Sequence, residues 1–156
     1  TPDHEAYGRA IAAFRDETER RLETAEGMEL LTQAMRHYYY EITRQWLRDR
    51  KQVIPCYGGI SNAHISAYGE IWPCAILADR KSFGNVKDHD YDFWKVWHGE
   101  RAREVRASIK RGECDCPLAN QAYANILLSP KAMAEVGKTM ARAKLKQPAR
   151  PAGASA

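Results

Sequence analysis

The chain reads as an α+β protein, with helices at both ends of a small β-hairpin-centred unit that gathers four cysteines. Three observations predict this. Apolar residues recur at steps of three and four between Met28 and Trp46, the period of a helix with one buried face. Residues 63–73 read as two short extended segments about a turn at Ala67-Tyr68-Gly69, with Gly69 where a turn needs positive φ. Cys56, Cys74, Cys114 and Cys116 fall into two local groups, each beside glycine or proline.

Taken in order, Thr1-Pro2-Asp3 has the form of a helix start, a capping side chain followed by Pro at the first helical position. Tyr7, Ile11, Phe14 and Leu22 give that helix a weak apolar stripe among many charges. After Gly27 the stripe strengthens: Met28, Leu31, Met35, Tyr38, Ile42 and Trp46 are the expected core or interface face. A break at Asp49-Arg50-Lys51 ends it. Beyond Cys56, Gly58-Gly59 lets the backbone curl close to a ligand. The hairpin of 63–66 and 70–73, with Ile65 and Ile71 suited to one face, folds Cys74 back toward Cys56 across 17 intervening residues.

Residues 75–86 read as loop. Asp92 is placed to cap a short helix carrying Phe93, Trp94, Val96 and Trp97. A second helix follows Gly99, with Ala102, Val105 and Ile109 on one face, Lys110 and Arg111 at its C-terminal end and Gly112 as its stop. That stop delivers Cys114 and Cys116, and Pro117 prevents an immediate return to regular structure. A last helix is expected over 130–145. The Pro-, Ala-, Gly- and Ser-rich end, 147–156, is expected to be disordered. The domain reading is thus a helical segment 1–52, a cluster domain 53–128, a C-terminal helix 129–146 and the tail.

The 156 residues suit one domain with helical additions. No apolar run approaches the ~20 residues that span a bilayer, and no signal peptide is expected from the polar first residues. No membrane partner is expected, and the expected setting is cytoplasmic, where thiols stay reduced. The net charge of +4 comes from residue 131 onward, where Lys131, Lys138, Arg142, Lys144, Lys146 and Arg150 face Glu135 alone. The body has no basic stripe with interleaved aromatics, so nucleic acid is not an expected partner.

Four thiols in two groups suit a tetrahedral ion or a [4Fe–4S] cube. Zinc usually draws on C-x2-C knuckles, and this chain has none. A cube tolerates wider spacing, because its ligands meet four separate irons. Spacing leaves zinc open as the alternative, in a zinc-stabilised protein-interaction module. His64, between the first two cysteines, reads as a surface residue or an alternative ligand, while His89 and His98 read as solvent-facing. Asp115 reads as orienting the loop between two ligands, since carboxylates suit such clusters poorly.

Cys56, twelve residues, Gly69, four residues, Cys74 resembles the opening of the SPASM/twitch domain, found C-terminal to the barrel in many radical S-adenosylmethionine (SAM) enzymes. Phe83-Gly84-Asn85-Val86 resembles that family's "GNV" segment, and Phe93 to Trp97 its aromatic helix. Arg106-Ala107-Ser108-Ile109 with Gly112-Glu113-Cys114 resembles the lead-in to its later cysteines. The resemblance spans residues 54–120. It implies one auxiliary [4Fe–4S] cluster on Cys56, Cys74, Cys114 and Cys116, serving electron transfer or substrate positioning. The fuller family pattern has seven cysteines and two clusters; four correspond to the shorter twitch form. Here Cys114-Asp115-Cys116 replaces the family's later C-x2-C, and the SAM-cleaving C-x3-C-x2-C motif is absent. SAM would therefore be bound only through a radical SAM barrel, of the same parent chain or a partner subunit, with segment 1–52 as the candidate end of such a barrel. The substrate implied is a peptide, a sugar or a small molecule.

Overall fold

The computed structural model describes residues 4–78 and 80–147. Among the described residues, six α-helices and one three-stranded sheet make an α+β fold. Helices α1 (His4–Leu22) and α2 (Gly27–Asp49) form an antiparallel pair, and α5 (Ala119–Leu128) and α6 (Pro130–Lys146) pack back on α2. Between these pairs lie β1 (His64–Ile65), β2 (Glu70–Trp72), β3 (Gly84–Asn85), α3 (Phe93–Trp97) and α4 (Glu100–Lys110). The expected helix start at residues 1–3 and nearly all of the expected disordered tail lie outside the described residues.

Two cores result. The helical core joins Leu22, Leu30, Ala34, Tyr39 and Ile42 to Ala122, Ile126 and Val136. The smaller core joins Ile71, Cys74, Leu77 and Phe83 to Val96, Ala102, Val105 and Ile109. The expected face of α4 is therefore buried, and Asp92 caps α3 through hydrogen bonds from the amides of Trp94 and Lys95 at 2.9 and 3.3 Å.

Several expectations are corrected. Met28 is 75% exposed, and the fully buried line of α2 runs instead through Leu30, Ala34, Tyr39 and Ile42, with Leu31, Met35 and Tyr38 half-buried beside it. The cause is that α2 is contacted by α1, α5 and α6, so burial spreads around the helix beyond one stripe. The hairpin pairs antiparallel with Ile65 opposite Ile71, yet Ile71 is buried and Ile65 is 56% exposed, because β1 is the sheet edge. The segment read as loop contains a short 3-10 turn at Ala75–Leu77 and strand β3, which pairs antiparallel with β2. Helix α5 has no counterpart in the sequence reading: it opens without a side-chain cap, two residues after Pro117.

Candidate metal centre

Cys56 lies in the loop after α2, Cys74 just beyond β2, and Cys114 and Cys116 in the loop between α4 and α5. The structure brings all four to the lining of one cavity at the seam between the two cores, walled by Ile42 and Ala122 on one side and Leu77 and Ile109 on the other. None is in a disulfide. His64, His89 and His98 line no part of this cavity.

The first loop is drawn in by two backbone bonds. The Gly59 amide donates to the Pro73 carbonyl at 3.0 Å and to the Asn62 carbonyl at 3.1 Å, which ties the Cys56 loop to the residue before Cys74. Gly59 has φ +74°, and a Cβ there would stand 2.6 Å from the Phe83 ring. A side chain at this position would strain both backbone and core. The Gly58 amide points at the Cys56 sulfur, 3.5 Å away.

The glycine, aromatic and arginine pieces of the sequence meet behind this loop. Arg106 donates from Nε to the Gly59 carbonyl at 2.6 Å, and its guanidinium lies over the rings of Trp97 (4.3 Å) and Phe83 (5.0 Å). Such cation–π contacts hold the glycine loop against the aromatic helix. Gly69, φ +89°, faces the third strand: a Cβ there would stand 2.7 Å from Asn85 Oδ1. Asn85 also donates to the Tyr68 carbonyl at 3.1 Å, and the Val86 amide donates to the Gly69 carbonyl at 2.9 Å. The Gly58-Gly59 loop, the turn glycine, Gly-Asn-Val, the aromatic helix and the arginine are thus one interlocked unit.

That ordered unit coincides with a family match. Residues 56–117 match the family model of SPASM, an iron-sulfur cluster-binding domain. This segment is similar to the SPASM domain. No curated protein and no solved structure matches the chain. The matched segment begins at the first cysteine and ends one residue after the last.

Residues on both sides of the matched segment complete the site. On α2, the Trp46 indole donates to Asp115 Oδ2 at 2.7 Å, and the Tyr39 hydroxyl donates to the Pro117 carbonyl at 2.9 Å. Asp115 thus orients the loop between Cys114 and Cys116. On α5, Asn125 Oδ1 accepts from the Tyr57 amide at 2.8 Å and from the Gln121 side-chain amide at 2.9 Å. Sequence reasoning missed the roles of these four residues. Trp46 and Tyr39 were hidden among the apolar and aromatic residues of an amphipathic helix, and the available signal was Gln121 and Asn125, polar residues four apart on one helical face.

The electrostatics favour thiolates unevenly. The Cys114 thiol donates to Cys116, which pulls Cys116 down to about 6 against the opposing effect of burial and pushes Cys114 up. Burial raises Cys74, partly offset by amide donors from Leu77 and Ile76. As they stand, no three His, Cys, Asp or Glu side chains among the described residues are drawn together so as to hold a single metal ion. An iron-sulfur group fits the residues present. The donors are four thiols, three of them with backbone amides directed at sulfur, and Gln52 Nε2 in the cavity lining is buried with no hydrogen-bond partner. No helix among the described residues is long and apolar enough to cross a membrane.

Proposed function

We propose that Cys56, Cys74, Cys114 and Cys116 hold one [4Fe–4S] cluster, and that the SPASM domain provides the auxiliary cluster of a radical SAM enzyme. One observation carries the reading: four thiols from two distant parts of a SPASM segment line one largely apolar cavity. Bound there, a cluster supplies a one-electron redox centre, and four thiolate ligands leave it no open iron. Its role is then electron transfer to or from substrate, or placing substrate, rather than ligating it. The residues do the rest. Gly58, Leu77, Ile76 and Leu118 direct backbone amides at the sulfurs of Cys56, Cys74 and Cys116, favouring thiolates. Ile42, Leu77, Ile109 and Ala122 give the cavity apolar walls. The SAM-cleaving motif belongs to a barrel in the same parent chain or a partner subunit, working in the cytoplasm on a peptide, sugar or small molecule.

Anaerobic reconstitution with iron and sulfide tests the cluster. The expected product is brown and holds iron and sulfide in equal amounts, about four of each per chain for a cube. A colourless protein with one zinc and no sulfide overturns the proposal in favour of a zinc-stabilised interaction module on the same four cysteines. The partnership is tested in the complete enzyme: Cys74→Ser should spare SAM cleavage while substrate turnover falls. Intact turnover in that variant removes the auxiliary role.

A further inference from the structure

We infer that the Gln52 side-chain amide donates a hydrogen bond into the four-cysteine cavity, to a thiolate or sulfide of the bound cluster, and raises its reduction potential. This rests on the cluster reading above, and the test separates the two. Arg50 closes α2, and Gln52 lies in the short link between that helix and Cys56. It precedes the segment that matches the SPASM family.

Gln52 Nε2 is buried without a hydrogen-bond partner, and of the orphaned buried atoms among the described residues it is the one whose residue lines the cysteine cavity. Its Oε1 faces the turn that precedes Cys114, 3.6 Å from where a Cβ on Gly112 would stand. The side chain therefore bridges the approach to both cysteine groups. A buried donor left unpaired is costly, so a stable structure supplies it an acceptor. Deprotonated thiolates and cluster sulfides are acceptors only, which matches an amide presenting its N–H side. The pairing has a redox consequence. A cluster on four thiolates carries more negative charge after taking up one electron, and a fixed N–H dipole in an apolar cavity stabilises that state more. Gln52 is thus a positioning and tuning residue.

The test uses the chain reconstituted with iron and sulfide, with dithionite as reductant and EPR as readout. In Gln52→Met and Gln52→Leu, iron and sulfide content should hold at the unsubstituted level. The midpoint should move negative, with about a tenfold lower ratio of reduced to oxidised cluster at fixed potential, ~59 mV for one electron. Unchanged midpoints in loaded variants overturn the inference, and a bridging water as the amide's sole partner gives that result. A second measurement needs no substitution. With 15N in the glutamine side-chain amides, pulsed EPR of the reduced cluster should detect a nitrogen coupling, and its absence overturns the inference even if neither variant loads. If the unsubstituted chain binds no iron and sulfide, the cluster reading itself fails.

Discussion

The side-chain oxygen of Asn125 in α5 accepts the backbone proton of Tyr57, the residue next to Cys56, at 2.8 Å. Asn125 is buried and also takes the Gln121 amide, so one side chain fixes the first cysteine loop from outside the SPASM segment. Asn125→Ala leaves both donors without an acceptor. The expected loss of stability is about 1–3 kcal/mol, read by urea unfolding of the metal-free chain. A loss below a few tenths would show that water replaces the contact.

Trp46 and Asp115 make the matching tether from α2 to the second pair of cysteines. Asp115 is exposed, so Trp46→Phe should cost little global stability, about 0.5–1.5 kcal/mol. The larger effect falls on the loop between Cys114 and Cys116. Iron should leave the reconstituted variant faster when a chelator is added, followed by loss of visible absorbance. Equal rates in the two proteins would count against loop orientation by Trp46.

Gly69→Ala places a methyl group against Asn85 at φ +89°. Backbone strain of about 1–2 kcal/mol adds to overpacking of about 1–3 kcal/mol, so a loss of about 2–5 kcal/mol is expected. The double variant Gly69→Ala with Asn85→Ala should recover the steric part alone, which a double-mutant cycle isolates. Strict additivity would place the strain elsewhere.

His37 gives the helical core an acid sensitivity. Burial holds the imidazole below its ordinary value, with the Arg15 guanidinium adding to that effect. Its Nδ1 is buried without a hydrogen-bond partner. The folded state therefore resists a proton that the unfolded chain accepts. This contribution is fully present above the unfolded value near 6.5 and is lost as pH falls toward the depressed folded value. Unfolding free energies at several pH values between about 7 and 5 should fall more steeply for the unsubstituted chain than for His37→Gln. Parallel slopes would assign the acid loss to other groups.

Removal of the bound group should also register in stability. The cavity lies at the seam of both cores, so a ligand held there stabilises the folded chain by linkage. Reconstituted protein should melt higher than the metal-free chain, and a chelator should erase the difference. Cys114→Ser should show a much smaller gain.

Much of this site was legible in the order of residues. Cysteine spacing beside Gly58, Gly59 and Gly112 announced a gathered thiol set, because backbone curls and stops are local chemistry. Asp92 and the face of Ala102, Val105 and Ile109 were equally local, since a cap and a helical period need no distant partner. Strand β3 was not legible: two residues become a strand only when β2 offers its free edge. The shift of the α2 stripe away from Met28 likewise depends on how many helices surround it.

The sequence by itself determined that four thiols belong together and that Gly69, Gly84-Asn85-Val86 and Arg106 form one ordered pattern. Tertiary structure decided what holds them. Trp46, Tyr39 and Asn125 reach the cysteine loops across up to 78 residues of chain, with Gln121 bracing Asn125. Hydrogen bonds of that span leave no periodic trace, because they are set by how two cores meet and not by neighbours along the chain.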